Sequence, residues 1–306
     1  MRIRMNRILC ATDFSDLSNR TISFGVALAK TFSAKLFVCH IIDLPFAAMN
    51  GEVQLDPIEQ QNRMMTYARE QLAQLFEKEA LAWEPLVSIG HTADEIARMV
   101  ENHRIDLAVS ATHGRSGLKR LLLGSVTERL MRILSCPLLI IKDLEGRDTG
   151  AKETLFPPRR ILVGCDFSSD SDLAFQYGLA MAQEFEAELH LVHVIEPPVY
   201  QNVLTSDLST GGHGKKSMVD QLTGKLARMV PVEARNWCDL TTALREGKPD
   251  EELTQYAELN DMDLIVLGVH GHGLVESLFI GSTTDRVARR SPCPVLSIRP
   301  VAKRPQ

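Results

Sequence analysis

Arg7-Ile8-Leu9-Cys10-Ala11-Thr12-Asp13-Phe14-Ser15 returns later in the chain as Arg160-Ile161-Leu162-Val163-Gly164-Cys165-Asp166-Phe167-Ser168, at an offset of 153 residues. A repeat on this scale means two copies of one fold rather than one large domain. His40 and His193 keep the same offset. Thr112-His113-Gly114 then answers to Val269-His270-Gly271, Gly124-Ser125 to Gly281-Ser282, and Cys136-Pro137 to Cys293-Pro294. These pairs stand 157 apart, so the second copy gains four net residues between His193 and Gly247.

Outward from the repeat, short apolar runs alternate with stretches of helical periodicity. Arg7–Ala11 and Ile161–Gly164 read as fully buried strands, each followed by a helix from about Leu17 or Leu173. Leu36–Ile42 and Glu188–Ile195 are the second strands, and Asp106–Ser110, Asp263–Leu267, Leu138–Ile141 and Val295–Ile298 are further runs of strand length. Gln60–Glu79 is strongly helical, with Met218–Met229 as its weaker counterpart. Strands apolar throughout and separated by helices call for a parallel sheet covered on both faces. The predicted fold class is therefore α/β, with two tandem doubly wound domains whose ligands belong at the carboxyl ends of the strands.

The repeat falls silent over Asp143–Pro158 (DLEGRDTGAKETLFPP), a polar stretch punctuated by Gly and Pro. The expected division is residues 1–146 for the first domain, 147–158 for the linker and 159–306 for the second. A length of 306 residues suits two domains of about 150 each. With 44% hydrophobic and 24% charged residues the chain is neither disordered nor a coiled coil. A net charge of −5 gives no reason to expect a nucleic-acid partner. No apolar run reaches the ~20 residues of a membrane span, and the amino-terminal stretch meets Asp13 before a signal-peptide core forms. Six scattered cysteines without a C-x-x-C pair read as reduced, buried thiols, so the expected location is cytoplasmic.

Three features converge on the strand ends. Asp13 and Asp166 follow the first strand of each copy, where a carboxylate can accept hydrogen bonds from a ribose-type diol or simply cap the next helix. Gly268-Val269-His270-Gly271, nine residues, then Gly281-Ser282 places backbone amides and a helix N-terminus where a phosphate would sit. The first copy has Ala111-Thr112-His113-Gly114, nine residues, then Gly124-Ser125. Arg115, Lys119 and Arg120 add positive charge to the first loop, where the second carries His272, Glu276 and Ser277. Glycine geometry thus favours the second copy, whereas charge favours the first.

Familiar alternatives fail. No G-x-x-x-x-G-K-[ST] loop exists, and the dinucleotide fingerprint is half present at Gly271-His272-Gly273, with Glu276 in place of its final glycine. His190, His193, His213, His270 and His272 lack the spacing of a zinc site and read as satisfied histidines at strand ends. There is no nucleophile elbow, and nothing selects His113 or His270 as a catalytic group.

The stretches ATHGRSGLKRLLLGSVTERLMRILSCPLLII and GVHGHGLVESLFIGSTTDRVARRSPCPVLSI, with the openings RILCATDFS and RILVGCDFS, resemble the universal stress protein family over both halves. The resemblance implies, for each domain, a five-stranded parallel sheet with helices on both faces, an adenine nucleotide α-hydrolase-like fold. It implies ATP, with or without Mg²⁺, held in the first half by Asp13, Ile41, Gly114, Gly124 and Ser125, to which the loop's positive charge adds Arg115. In the second half the corresponding set is Asp166, Val194, Gly268, Gly271, Gly281 and Ser282. It also implies pairing through last strands, here within one chain as a pseudo-dimer, with a homodimer as a further arrangement.

The leading expectation is a nucleotide-binding stress or regulatory protein without efficient turnover. The alternatives are slow ATP hydrolysis or phosphoryl transfer at the same cleft, and a sensor or interaction module for a lipid or protein ligand. That last reading rests on the variable segments Leu44–Pro57 and Glu196–Lys216.

Overall fold

The computed structural model describes residues 3, 5–43, 57–76, 81–112, 123–142, 156–197, 213–270 and 280–300. The chain divides into two compact units, one built around residues 4–148 and the other around residues 149–298. In the N-terminal unit the order is β1 (Arg7–Ala11), α1 (Asp16–Phe32), β2 (Lys35–Ile42), α2 (Pro57–Leu75), β3 (Trp83–Ile89), α3 (Thr92–Asn102), β4 (Leu107–Ala111), α4 (Ser125–Ile133) and β5 (Leu138–Ile141). Its five strands are parallel and run β3-β2-β1-β4-β5 across the sheet.

The C-terminal unit repeats this with β6 (Arg160–Cys165), α5 (Ser169–Phe185), β7 (Glu188–Ile195), α6 (His213–Met229), a 3₁₀ turn (Val232–Asn236), β8 (Leu240–Glu246), α7 (Pro249–Leu259), β9 (Leu264–Gly268), α8 (Ser282–Arg290) and β10 (Val295–Ile298). Its order is β8-β7-β6-β9-β10, again all parallel. The expected α/β class with a five-stranded parallel sheet per domain is what forms.

Consecutive residues Ile8, Leu9 and Cys10 are wholly buried, as are Ile161, Leu162 and Val163, because helices cover both faces of each sheet. The helix after the first strand presses closest. A Cβ on Gly25 of α1 would lie 2.1 Å from Cys10 Sγ, and one on Gly178 of α5 would lie 2.5 Å from Val163 Cγ2. Both helices start under a serine cap, Ser15 accepting from Ser18 N and Ser168 from Ser171 N. Helix α5 begins at Ser169, four residues ahead of the Leu173 start expected from apolar periodicity, because the cap rather than the first apolar residue sets the boundary.

Apolar runs do not reveal β3 and β8. Both are outermost strands, half-buried along most of their length, and β8 reads Leu-Thr-Thr-Ala-Leu-Arg-Glu. Pro85 sits inside β3 opposite Val38, a place open to proline because only one side of an edge strand needs its amides. The strand starts are pinned alike in both units. Asp106 Oδ2 accepts from the amides of Asn6 and Arg7 (2.9 and 3.0 Å), and Asp263 Oδ2 from those of Arg159 and Arg160 (2.9 and 3.0 Å).

Candidate functional site

In each unit the strand order reverses beside the first strand: the chain moves from β1 out through β2 to β3, then returns to place β4 on the other side of β1. The helices that follow β1 and β4 therefore diverge and leave a crevice beyond the carboxyl ends of β1 and β4, and likewise of β6 and β9. The predicted residues gather around it. Asp13 and Asp166 follow β1 and β6, Ile41 and Val194 lie near the ends of β2 and β7, and Gly124-Ser125 and Gly281-Ser282 open α4 and α8. Gly114, Arg115 and Gly271 lie outside the described residues, as do His113, Lys119, Arg120, His272, Glu276 and Ser277. So does most of the two variable segments.

The turn after the first strand is strained in both units. Phe14 has φ +64° and Phe167 φ +63°, the left-handed region where a bulky residue costs about 1–2 kcal/mol. The conformation is held from three sides. Asp13 Oδ1 accepts from the amide and hydroxyl of Ser15 (3.1 and 2.6 Å), and Asp166 Oδ1 from the amide of Ser168 (2.9 Å). His40 Nδ1 donates to the Thr12 carbonyl (2.9 Å) and His193 Nδ1 to that of Cys165 (2.7 Å). Each of these rings also lies against the strained phenylalanine, with centroids 4.3 Å apart for Phe14–His40 and 4.5 Å for Phe167–His193. A carbonyl can only accept, so both histidines carry the Nδ1 proton. The sequence paired these histidines by offset without assigning them this bracing role.

Across the crevice, α4 and α8 begin at Gly124 and Gly281, and among the described residues no side-chain hydrogen bond caps the first turn, unlike α1 and α5. Uncapped first-turn amides are what an anion needs. Both glycines have ordinary backbone angles, φ −62° and −58°, so their value lies in having no side chain in front of those amides rather than in conformational freedom. The described chain on either side is tied alike in both copies: Gly124 N donates to the Thr112 carbonyl (2.6 Å) and Gly281 N to that of Val269 (2.8 Å). Thr127 Oγ1 donates to the Ala111 carbonyl (2.6 Å) and Thr284 Oγ1 to that of Gly268 (2.7 Å).

Gly268 has a packing reason of its own. A Cβ there would lie 2.8 Å from the carbonyl carbon and the Cβ of Asp170, in the first turn of α5. Ala111 stands at the matching place in the N-terminal unit, where the matching helix residue is Leu17. Asp170 in turn binds His270: its Oδ2 accepts from the backbone amide (3.2 Å) and from Nδ1 (3.0 Å). His270 Nε2 is buried and has no hydrogen-bond partner among the described residues. Cys165 replaces Thr12 in the turn, and burial pushes its thiol up to about 11. All six cysteines are buried and none is in a disulfide, as expected. Among the described residues no group of His, Cys, Asp and Glu could hold a metal ion, and no helix is long and apolar enough to cross a membrane.

A doubly wound unit with a Gly-Ser helix start across its switch point, present twice, defines a class of tandem α/β proteins. The universal stress protein family model matches residues 5–142 and again 158–299. The chain belongs to that family, as a tandem of two such domains. A universal stress protein of Synechocystis sp. is 22% identical over 316 residues, spanning 96% of this chain and all of that protein. One of Methanocaldococcus jannaschii is 30% identical over 141 residues, 44% of this chain and 81% of its own length. The crystal structure of a universal stress protein from Archaeoglobus fulgidus superposes with a TM-score of 0.69 at 24% identity, covering 97% of this chain and 99% of that one, which establishes the shared fold.

Proposed function

We propose that this tandem universal stress protein binds an adenine nucleotide, ATP with or without Mg²⁺, in the strand-end crevices and acts in stress response or regulation rather than in fast turnover. The observation that carries this reading is the pairing, in both units, of a braced first-strand carboxylate with an uncapped Gly-Ser helix start across a switch-point crevice. Asp13 and Asp166 would meet the ribose hydroxyls, and Ile41 and Val194 would flank the base. Gly124-Ser125 and Gly281-Ser282 would take the phosphates, with Gly114, Arg115 and Gly271 completing the cradle. The donor set fits a phosphate chain, since first-turn amides without a side-chain cap offer hydrogen bonds to an anion. Mg²⁺ would be carried by the phosphates and supply charge neutralisation.

Titrating nucleotide-free protein with Mg²⁺–ATP in a calorimeter tests the reading. Gly124→Val and Gly281→Val each place a side chain before one cradle at a backbone conformation valine accepts, with about 1 kcal/mol lost at the helix start. Each should therefore remove binding at its own unit by more than about 100-fold while thermal unfolding changes little. Unchanged affinity and stoichiometry in both variants would overturn the assigned cradle.

A further inference from the structure

The C-terminal unit sets a cation beside its first-strand turn that the N-terminal unit lacks. Lys225 of α6 lies with Nζ 3.9 Å from the centroid of the Phe167 ring, within the range of a cation–π contact. Phe167 directly follows Asp166, with its strained backbone at φ +63° and its ring centroid 4.5 Å from that of His193. A second contact seats the same face of the helix. Met229, one turn on from Lys225, has Sδ 3.5 Å from Sγ of Cys165, the residue before Asp166. The ammonium therefore stands beside the turn that carries the carboxylate assigned to the ribose hydroxyls.

The ring holds the charge in place without giving its N–H donors an oxygen to bind. Lys225 is exposed, and among the described residues it makes no hydrogen bond and no ion pair. Its neighbours one turn away on α6 are Gln221, Leu222, Arg228 and Met229, so no carboxylate of its own helix is placed to neutralise it. A Cβ on Gly224 would meet nothing within 4 Å, whereas those on Gly25 and Gly178 would press on strands, so the surface beside the ammonium is open. The fold does not need this cation. Leu72 and Phe76 are buried in the N-terminal unit as Leu226 and Val230 are in the C-terminal one, which sets Gln71 against Lys225. Phe14 lies against His40 as Phe167 does against His193, yet among the described residues no Lys or Arg stands over its ring.

A carboxylate alone at this place favours a free ribose diol and repels a phosphate, while a cation beside it accommodates a phosphate on the ribose. We propose that the C-terminal crevice selects adenine nucleotides whose ribose carries a phosphate ester on its 2′ or 3′ oxygen: Asp166 accepts from the remaining hydroxyl and Lys225 donates to the phosphate. The N-terminal crevice, with Asp13 and Gln71 at the same places, takes an unsubstituted ribose. This rests on the nucleotide reading above and gives the two units different ligands on one architecture.

The test is calorimetry on the full chain carrying Gly124→Val, which leaves the C-terminal crevice to be read alone. The ligands are Mg²⁺–ATP, AMP, adenosine 2′,5′-bisphosphate and adenosine 3′,5′-bisphosphate. At least one bisphosphate should bind about 10-fold tighter than AMP, the worth of one charge-assisted hydrogen bond, and added salt should shrink that advantage. Lys225→Gln puts the first unit's residue into the second at an exposed helix position. It should remove the advantage with little change in AMP affinity and none in thermal unfolding. Neither bisphosphate binding tighter than AMP, an advantage that survives Lys225→Gln, or an equal loss for every ligand would overturn the inference and leave the nucleotide reading standing. No binding heat from any of the four, Mg²⁺–ATP included, would sink the nucleotide reading of this unit and the inference with it.

Discussion

At the end of β1 the turn is organised by Thr12, whose hydroxyl accepts from Phe14 N at 2.9 Å and bonds Ser18 Oγ at 2.9 Å. At the end of β6 the same place is taken by Cys165, whose sulfur lies 4.0 Å from Ser171 Oγ and 3.5 Å from Met229 Sδ. The carboxylate, the strained phenylalanine and the bracing histidine are kept in both units while the groups around them change. A hydroxyl makes stronger hydrogen bonds than a thiol, so the N-terminal turn is tied within itself. The C-terminal turn gains an outside tie instead, in the first turn of α5, where Asp170 reaches His270. Duplication has preserved the parts that shape the crevice and freed the parts that set its charge.

The largest expected difference lies beneath that turn, where α1 and α5 cross their strands. Gly25→Ala and Gly178→Ala each gain about 1 kcal/mol of helix propensity and meet a buried side chain. The contact at Gly25 is tighter, 2.1 Å to Cys10 Sγ against 2.5 Å to Val163 Cγ2. Overpacking of this kind costs about 1–3 kcal/mol, so Gly25→Ala should lose about 2 kcal/mol net and Gly178→Ala about a quarter of that. Denaturant unfolding followed by limited proteolysis assigns each loss to its unit. Stabilisation in both variants would mean that the helices are free to move off their strands.

Next in size is the exchange of Gly268 with Ala111. In Gly268→Ala the new methyl meets main-chain atoms of α5 at 2.8–2.9 Å, and backbone cannot rotate aside as a side chain can. The expected loss is about 2 kcal/mol, together with a shift of the Asp170–His270 contact visible in the His270 ring resonances. Ala111→Gly removes a buried methyl and adds backbone freedom in a strand, costing about 0.5–1 kcal/mol. If the two variants cost the same, the glycine at β9 has no packing role of its own.

Most of the fold was legible because its central strands are covered on both faces and so read as unbroken apolar runs, as Ile161-Leu162-Val163 does. The edge strands β3 and β8 were not, since a half-buried edge tolerates Pro85 in β3 and Thr241-Thr242 in β8 without losing its pairing. Asp13, Asp166 and the Gly-Ser pairs were readable from the double occurrence of one spacing. The strain at Phe14 and Phe167 leaves no mark on composition or periodicity, although the paired His40 and His193 were its visible half. Asp170 could not be read as the partner of His270, because the two are 100 residues apart and only the return of the chain from β6 to β9 brings them together.

The smallest expected effect sits at the other end of the second strands, where Lys35 and Glu188 occupy matching positions. Lys35 reaches across to Glu84 of β3, with Nζ 2.6 Å from Oε2, and this hydrogen bond holds the Glu84 carboxyl below its usual range. Glu188 instead turns to His190 at 2.5 Å, and His190 Nδ1 meets the Tyr256 hydroxyl at 2.8 Å, a buried chain where the N-terminal unit has Phe37 and Met99. A carboxylate with a lowered folded-state pKa adds stability that is present above the unfolded-state value and lost as pH falls through the folded one. Glu84→Gln should therefore lower the melting temperature of the N-terminal unit slightly at pH 7 and progressively less as pH falls below the usual carboxylate range, and about 0.5 M salt should erase the difference because the pair is exposed. The same substitution at Glu188 removes a bond to a buried ring rather than a surface pair, so its effect should persist in salt. Equal salt sensitivity at Glu84 and Glu188 would mean that both carboxylates act through solvent alone.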